Sequence, residues 1–218
     1  MSRIAIVGGH GQVARLLHPL LLEAGHTPIA LVRKEEQRDA LEAQGVEVRM
    51  LDLESADVAG YADAFAGSDA VVFAAGGGAD GDAERKRTVD LGASVTSQEA
   101  AKAAGIRRFV QISAIGVDRP LGDDVEPVWR AYVEAKRDAD AALRASGLDW
   151  TILRPGGLTD DAPAGTVTLA EEVERAEIPR ADVAATVVAV LAEPGSIGRQ
   201  WELVGGSTPI ADAVAAAI

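Results

Sequence analysis

The residues richest in chemistry are a tyrosine and a lysine four positions apart, Tyr132-Val133-Glu134-Ala135-Lys136. On a helix that spacing stacks the phenol and the ammonium on one face. A phenol's pKa of about 10 is too high for acid/base work near neutrality, and an adjacent cation favours its ionised form. Ser113 follows an apolar run and can hydrogen-bond a substrate carbonyl, steadying a developing oxyanion. The blander alternatives are a half-buried packing tyrosine and a surface lysine paired with Glu134 or Asp140.

A second constellation lies at the other end of the chain. Gly8-Gly9-His10-Gly11-Gln12-Val13-Ala14 follows an apolar run and opens a helix-like stretch. Gly8 permits a tight turn, Gly11 lets backbone approach a pyrophosphate, and Ala14 keeps helix and strand close. The helix start adds free N–H groups and a positive dipole end. Where the next apolar run ends, a site for NAD usually carries an acid for the ribose 2′-hydroxyl. Here Arg33 and Lys34 stand instead, which favours NADP: a bidentate guanidinium and a point charge for a 2′-phosphate. The neighbouring Glu35-Glu36 could neutralise the pair. Asp52, in Leu51-Asp52-Leu53, is a candidate neighbour of the adenine amino group.

These residues need a scaffold that brings run ends together. Short, continuously apolar runs fall at 4–7, 28–32, 46–51, 70–75, 109–112 and 150–153, as strands buried on both faces require. Helix-like stretches at 11–24, 35–44, 56–66, 83–104 and 126–146 separate them, several ending in glycine. Repeated βαβ units of this kind predict an α/β fold, a Rossmann-type doubly wound parallel sheet. Beyond 153 the pattern predicts a Pro/Gly/Asp-rich loop over 154–165, a short run at 166–169, a helix near 181–192, a strand at 200–204 and an Ala-rich tail. We read residues 1–218 as one domain, with 154–218 forming a small substrate-side cap on its carboxyl edge.

Composition narrows the function further. The 218 residues include no cysteine, which removes disulfides, thiolate metal sites and Cys nucleophiles. The three histidines, His10, His18 and His26, cluster near the start, so no metal site is expected. A formal charge of −13 opposes non-specific binding to nucleic acid or an anionic membrane. No targeting segment or membrane span is read from the apolar runs. A cytoplasmic monomer or homodimer acting on a small molecule is the expectation.

Taken in order, the motifs resemble those of the short-chain dehydrogenase/reductases, specifically the small atypical NAD(P)-binding, NmrA-like or epimerase-type members. The marks are Gly8-Gly9-His10-Gly11, Leu31-Val32-Arg33-Lys34, Leu51-Asp52-Leu53, Phe73-Ala74-Ala75-Gly76, Thr88-Val89-Asp90-Leu91, Ile112-Ser113-Ala114, the Tyr132–Lys136 pair and Leu153-Arg154-Pro155-Gly156-Gly157-Leu158. The resemblance implies that Gly8, Gly11 and Arg33, with His10, Gln12, Val13 and Lys34 beside them, hold the pyrophosphate and 2′-phosphate. It implies that Asp52 and Leu53 flank the adenine and that Ala74, Ala75 and Gly76 pass beneath the cofactor. Pro155, Gly156 and Leu158 would border the nicotinamide, and Lys136 would reach the ribose and lower the Tyr132 pKa. Ser113, Tyr132 and Lys136 would form the proton-donating set for carbonyl reduction. Asp90 stands where many relatives carry a relay asparagine. The glycine-rich loop at 76–82 is expected to be flexible, and Lys86 is a candidate to face the site. Two further readings remain open: an NmrA-like NADP(H) sensor without catalysis, and an NADPH-dependent flavin or quinone reductase.

Overall fold

Alternation along each strand explains why the runs are apolar throughout. In β1 (Arg3–Val7), Ile4 and Ile6 enter one hydrophobic core while Ala5 and Val7 enter a second on the opposite face. β4 (Ala70–Phe73) repeats the division: Ala70 and Val72 pack one way, Val71 and Phe73 the other. A strand covered on both faces must sit inside a doubly wound sheet. The computed structural model, which describes residues 1–78 and 82–218, has that architecture.

The remaining strands are β2 (Thr27–Val32), β3 (Glu47–Met50), β5 (Arg108–Ile112), β6 (Asp149–Pro155), β7 (Gly157–Thr159), β8 (Thr166–Ala170), β9 (Glu177–Pro179), β10 (Arg199–Gly205) and β11 (Thr208–Pro209). The large sheet runs β11-β8-β10-β6-β5-β4-β1-β2-β3, parallel from β3 to β10, with β8 antiparallel to β10 and to β11. Strand order reverses between β1 and β4, and a ligand crevice belongs at that switch point. One core lies between the sheet and helices α1 (Gln12–Glu23) and α7 (Arg180–Ala192). The other lies under α3 (Val58–Phe65), α5 (Ser94–Ala103) and α6 (Pro127–Ala145). α2 (Glu35–Glu42), the one-turn α4 (Ala83–Arg85) and the C-terminal α8 (Ile210–Ala216) complete the helices. Gly25, Gly45, Gly67, Gly105 and Gly147, where helix ends were expected, all take positive φ.

The structure departs from expectation in three places. The helix expected over 83–104 is broken by a π-helical stretch, Lys86–Ala93, which buries Lys86 and Asp90 together. The segment expected as loop over 154–165 continues β6 to Pro155 and then forms β7, paired in parallel with β9, a strand not foreseen. Much of 154–218 joins the main sheet as β8, β10 and β11, while β7, β9 and the strap between β8 and β9 lie beside the site. Residues 79–81, within the loop expected to be flexible, lie outside the described residues.

Candidate functional site

Two cavities open where the strands end. A cleft of about 270 Å³ follows the carboxyl ends of β1, β2 and β3. A wider cavity of about 780 Å³ lies beyond β5 and β6, beside α6. The segment after β4 borders both, Gly76 lining the cleft and Gly78 the cavity.

The cleft is shaped by the glycine turn. Gly8 has φ +79°, and a Cβ on it would lie 2.7 Å from Ala75 Cα. A Cβ on Gly9 would lie 2.7 Å from Ala30 Cβ, so this turn must be bare backbone. Ala14 is fully buried against the sheet. The first turn of α1 carries neither a side-chain cap nor an acid, leaving its N–H groups and dipole open to an anion. Bare glycines beside an open helix start fit a pyrophosphate. Behind the turn, His18 Nε2 lies 2.7 Å from Gly9 O. Burial holds the His18 pKa below its ordinary value, against the opposing pull of that carbonyl. The ring is therefore a neutral brace whose Nε2–H donates to Gly9.

Of the residues expected to hold the cofactor, Gly8, His10, Gly11, Arg33, Asp52, Leu53, Ala74, Ala75 and Gly76 line the cleft. Val13 instead belongs to the core, and the side chains of Gln12 and Lys34 are exposed outside the cleft. Glu54 gathers two arginines here: Arg33 Nη1 at 3.7 Å and Arg85 Nε at 3.6 Å, with Thr88 Oγ1 donating at 2.8 Å. Glu54 and Arg85 were not singled out from sequence. Glu54, two residues past Asp52, could have been; Arg85 sits in a charged run that reads as surface.

Lys136 lies beneath the junction of the two cavities. Its Nζ approaches Asp90 Oδ1 at 3.2 Å and donates to Ile112 O at 3.2 Å and Ala75 O at 3.4 Å. Asp90 Oδ2 accepts from Gly77 N–H at 2.8 Å, so one buried carboxylate holds both the cation and the segment bordering the cavities. A Cβ on Gly77 would lie 2.7 Å from Arg85 O, which is why that segment is glycine. Burial works to lower the Lys136 pKa, but Asp90 and Tyr132 outweigh it and the net direction is upward. Neither Asp90 nor Lys136 lines a cavity.

Tyr132 and Ser113 do line the wide cavity, together with Pro155, Gly156, Leu158 and Lys86. Burial raises the Tyr132 pKa; Lys136 opposes this as expected, but Asp90 and Asp140 reinforce the rise. The lowering expected from Lys136 is present but outweighed, and the net direction is upward. Ser113 Oγ donates to Asp140 Oδ2 at 2.8 Å. The same buried carboxylate accepts from Gln111 Nε2 at 2.6 Å and Arg154 Nε at 2.8 Å. Arg154 also donates to Asp118 Oδ2 at 2.7 Å. Ser113's hydroxyl proton is therefore engaged by protein, leaving its oxygen an acceptor toward the cavity. Asp140 entered the sequence reading only as a surface partner for Lys136, because nothing local shows that β6 places Arg154 over it.

Strand order and glycine turn are those of a Rossmann-type fold, and together with the family match and relatives that follow they place the chain in the atypical short-chain dehydrogenase/reductase subgroup. Residues 8–194 match the NAD(P)H-binding family, and the chain belongs to it. It is 39% identical over 213 residues to the uncharacterized sugar epimerase YhfK of Bacillus subtilis (strain 168), covering 97% of this chain and 98% of that one. A solved chain from Bacillus halodurans, whose epimerase/dehydratase designation is provisional, is 36% identical with a TM-score of 0.92, covering 99% and 100% of the two chains. Quinone oxidoreductase 2 of Escherichia coli (strain K12) is 29% identical over 216 residues, 94% of this chain and 69% of that one. The anaerobillin reductase ChuY of Escherichia coli O157:H7 is 26% identical with a TM-score of 0.76, covering 94% and 98%. Among the described residues, no helix is long and apolar enough to cross a membrane, and no group of three or more acids or histidines could hold a metal.

Proposed function

We propose that the protein is a cytoplasmic NADP(H)-dependent oxidoreductase that reduces a carbonyl group on a small molecule. The observation that carries this reading is the placement of Tyr132 and Ser113 together on the wall of a cavity that adjoins the glycine-turn cleft. NADPH, held by the glycine turn at Gly8–Gly11 and by Arg33, would supply the hydride that the carbonyl carbon accepts. Tyr132 gives its proton to the carbonyl oxygen, producing an alcohol, and is reprotonated from solvent. Lys136 stabilises the transient phenolate, and Asp90 keeps that ammonium charged and in place. Ser113, an acceptor, orients whatever hydroxyl or N–H the substrate offers. Burial raises the phenol's pKa and so weakens it as an acid; Lys136 acts against that rise and favours the phenolate as the proton leaves.

Arg33 and Arg85 around Glu54 support NADP over NAD, since two guanidiniums suit a 2′-phosphate. The relatives named as a quinone oxidoreductase and an anaerobillin reductase support an oxidoreductase. A large sugar nucleotide fits less well, because β8, β10 and β11 join the main sheet and leave only the short β7–β9 region over the cavity.

A thermal-shift titration with NADP, NADPH, NAD and NADH, followed by turnover on a panel of aldehydes, ketones and quinones, tests the proposal. Ligand at 100 times its Kd should add about 2.7 kcal/mol, or a rise of roughly 5–10 °C. A shift confined to NADP(H), with NADPH oxidation by some member of the panel, is expected. No shift with any nucleotide would remove the reading. A shift without turnover, unchanged by Tyr132→Phe, would favour the sensor.

A further inference from the structure

The charged groups around the wide cavity are unevenly distributed. Among the described residues, Lys86, Arg175 and Arg180 line it against the single acid Glu126, in a chain of net charge −13. Arg175 belongs to the run Glu171-Glu172-Val173-Glu174-Arg175-Ala176-Glu177, yet none of its four glutamates lines the cavity. Arg175 is the one charged residue of the strap that lines the cavity, and it does so while exposed to solvent.

That placement is enforced on both sides of Arg175. Val173 N–H donates to Glu202 Oε2 at 3.0 Å, and Ala176 O accepts from Gly157 N–H at 3.0 Å. Glu202, buried on β10, also accepts from Gly116 N–H at 2.8 Å and pairs with Arg119 at 2.8 Å. Gly116, at φ +71°, leaves space where a Cβ would lie 3.1 Å from Arg175 Nη2. The guanidinium itself makes one long hydrogen bond, to Ile115 O at 3.4 Å. Most of its five donors remain for a ligand. Arg180, the first residue of α7, pairs with the exposed Asp160 at 2.8 Å. Lys86 is held by Gly78 O and lies 5.9 Å from the centre of the Tyr132 ring.

The rest of the wall is flat and apolar. Trp129 and Tyr132 rings lie 5.3 Å apart, tilted by 35°, with Trp129 44% exposed at the mouth. Ala114, Ile115, Val128 and Leu158 continue that surface.

Resting on the reductase reading, we infer that the cavity takes a flat, apolar-bodied substrate carrying a carboxylate or phosphate, with its ring system against Trp129 and its anion on Arg175 and Arg180. Equilibrium binding to the NADP-loaded protein tests this without requiring turnover. The probes are 2-naphthoate, 2-naphthyl phosphate and the neutral methyl 2-naphthoate. At least one anion should bind roughly 10- to 100-fold more tightly than the ester, as expected for charge-assisted hydrogen bonds. The tighter anion identifies the group. Arg175→Gln with Arg180→Gln should abolish the difference while leaving ester binding intact, and Trp129→Ala should weaken all three alike. Equal affinity for ester and anions, or a preference that survives loss of both arginines, would overturn the proposal. Anion selectivity with no carbonyl reduced by the wild type would instead leave this inference standing and remove the reductase reading.

Discussion

The cleft along β1–β3 is walled mainly by bare backbone and by side chains near strand ends, with Arg85 and Val89 as exceptions, whereas the wide cavity draws Lys86, Tyr132, Leu158 and Arg175 from four separate segments. In the cleft, shape follows from turn chemistry: Gly8 at positive φ, Gly9 without room for a side chain, and an open helix start. In the cavity, shape follows from long-range hydrogen bonds, with Glu202 on β10 holding both the segment after β5 and the strap before β9. A binding motif can thus be local while the surface that chooses a substrate is not. Asp90 is where the two constructions meet, since it grips Lys136 with one oxygen and Gly77 with the other.

Substitutions should separate the two regions, and the largest expected effect falls in the cavity. Tyr132→Phe removes the proton donor and should lower kcat by about 10²–10⁴-fold, with the NADP thermal shift unchanged. Because Tyr132's pKa is raised, its protonated form persists beyond the ordinary phenol value of 10.0. A kcat/KM profile for reduction should therefore hold its plateau to pH 10.0 and fall only above it; an alkaline limb near 7 would contradict that assignment.

Asp90→Ala should damage both regions at once. It leaves the buried Lys136 ammonium without its counter-charge, a loss of about 3–5 kcal/mol. Calorimetry should then show Tm lower by roughly 6–20 °C for a chain of this size. An Asp90→Ala protein with wild-type Tm would show that the ion pair does not carry this load.

Arg33→Ala acts on the cleft alone. Losing charge-assisted bonds to a 2′-phosphate should weaken NADP by about 10- to 150-fold while NAD affinity stays constant. Equal loss for both nucleotides would place Arg33 elsewhere on the cofactor.

The smallest effect concerns the brace behind the glycine turn. With the His18 pKa lowered below 6.5 in the folded chain, the unfolded chain binds the proton first. The contribution of neutral His18 is complete above pH 6.5 and declines as pH falls below it. Urea midpoints measured at pH 7.5 and 5.5 should converge for His18→Gln relative to wild type. Parallel behaviour of the two proteins would remove His18 from that pH dependence.

Much of the architecture was legible because it rests on periodicity. Runs such as Ile4–Val7, each residue buried on one face or the other, can only be central strands, and glycines such as Gly25 and Gly105 mark helix ends by their positive φ. β7 and β9 were not legible, because three-residue strands have no period and exist only through their pairing. The π-helical stretch escaped for a related reason: Lys86–Ala93 carries ordinary helical composition, and its altered winding accompanies the burial of Asp90 against Gly77.

By itself, the sequence determined the sheet's order of βαβ units, the glycine turn and the Tyr132–Lys136 pair, because each depends on spacing within one or two elements. Tertiary structure alone decided the electrostatics. It raised Tyr132 through burial, committed Ser113's proton to Asp140, and set Arg175 of an acidic run on the cavity wall. Charges respond to what lies within a few ångströms, and at this site those neighbours include Asp90 of the π-helical stretch, Asp140 of α6 and Glu202 of β10, which the chain visits many residues apart.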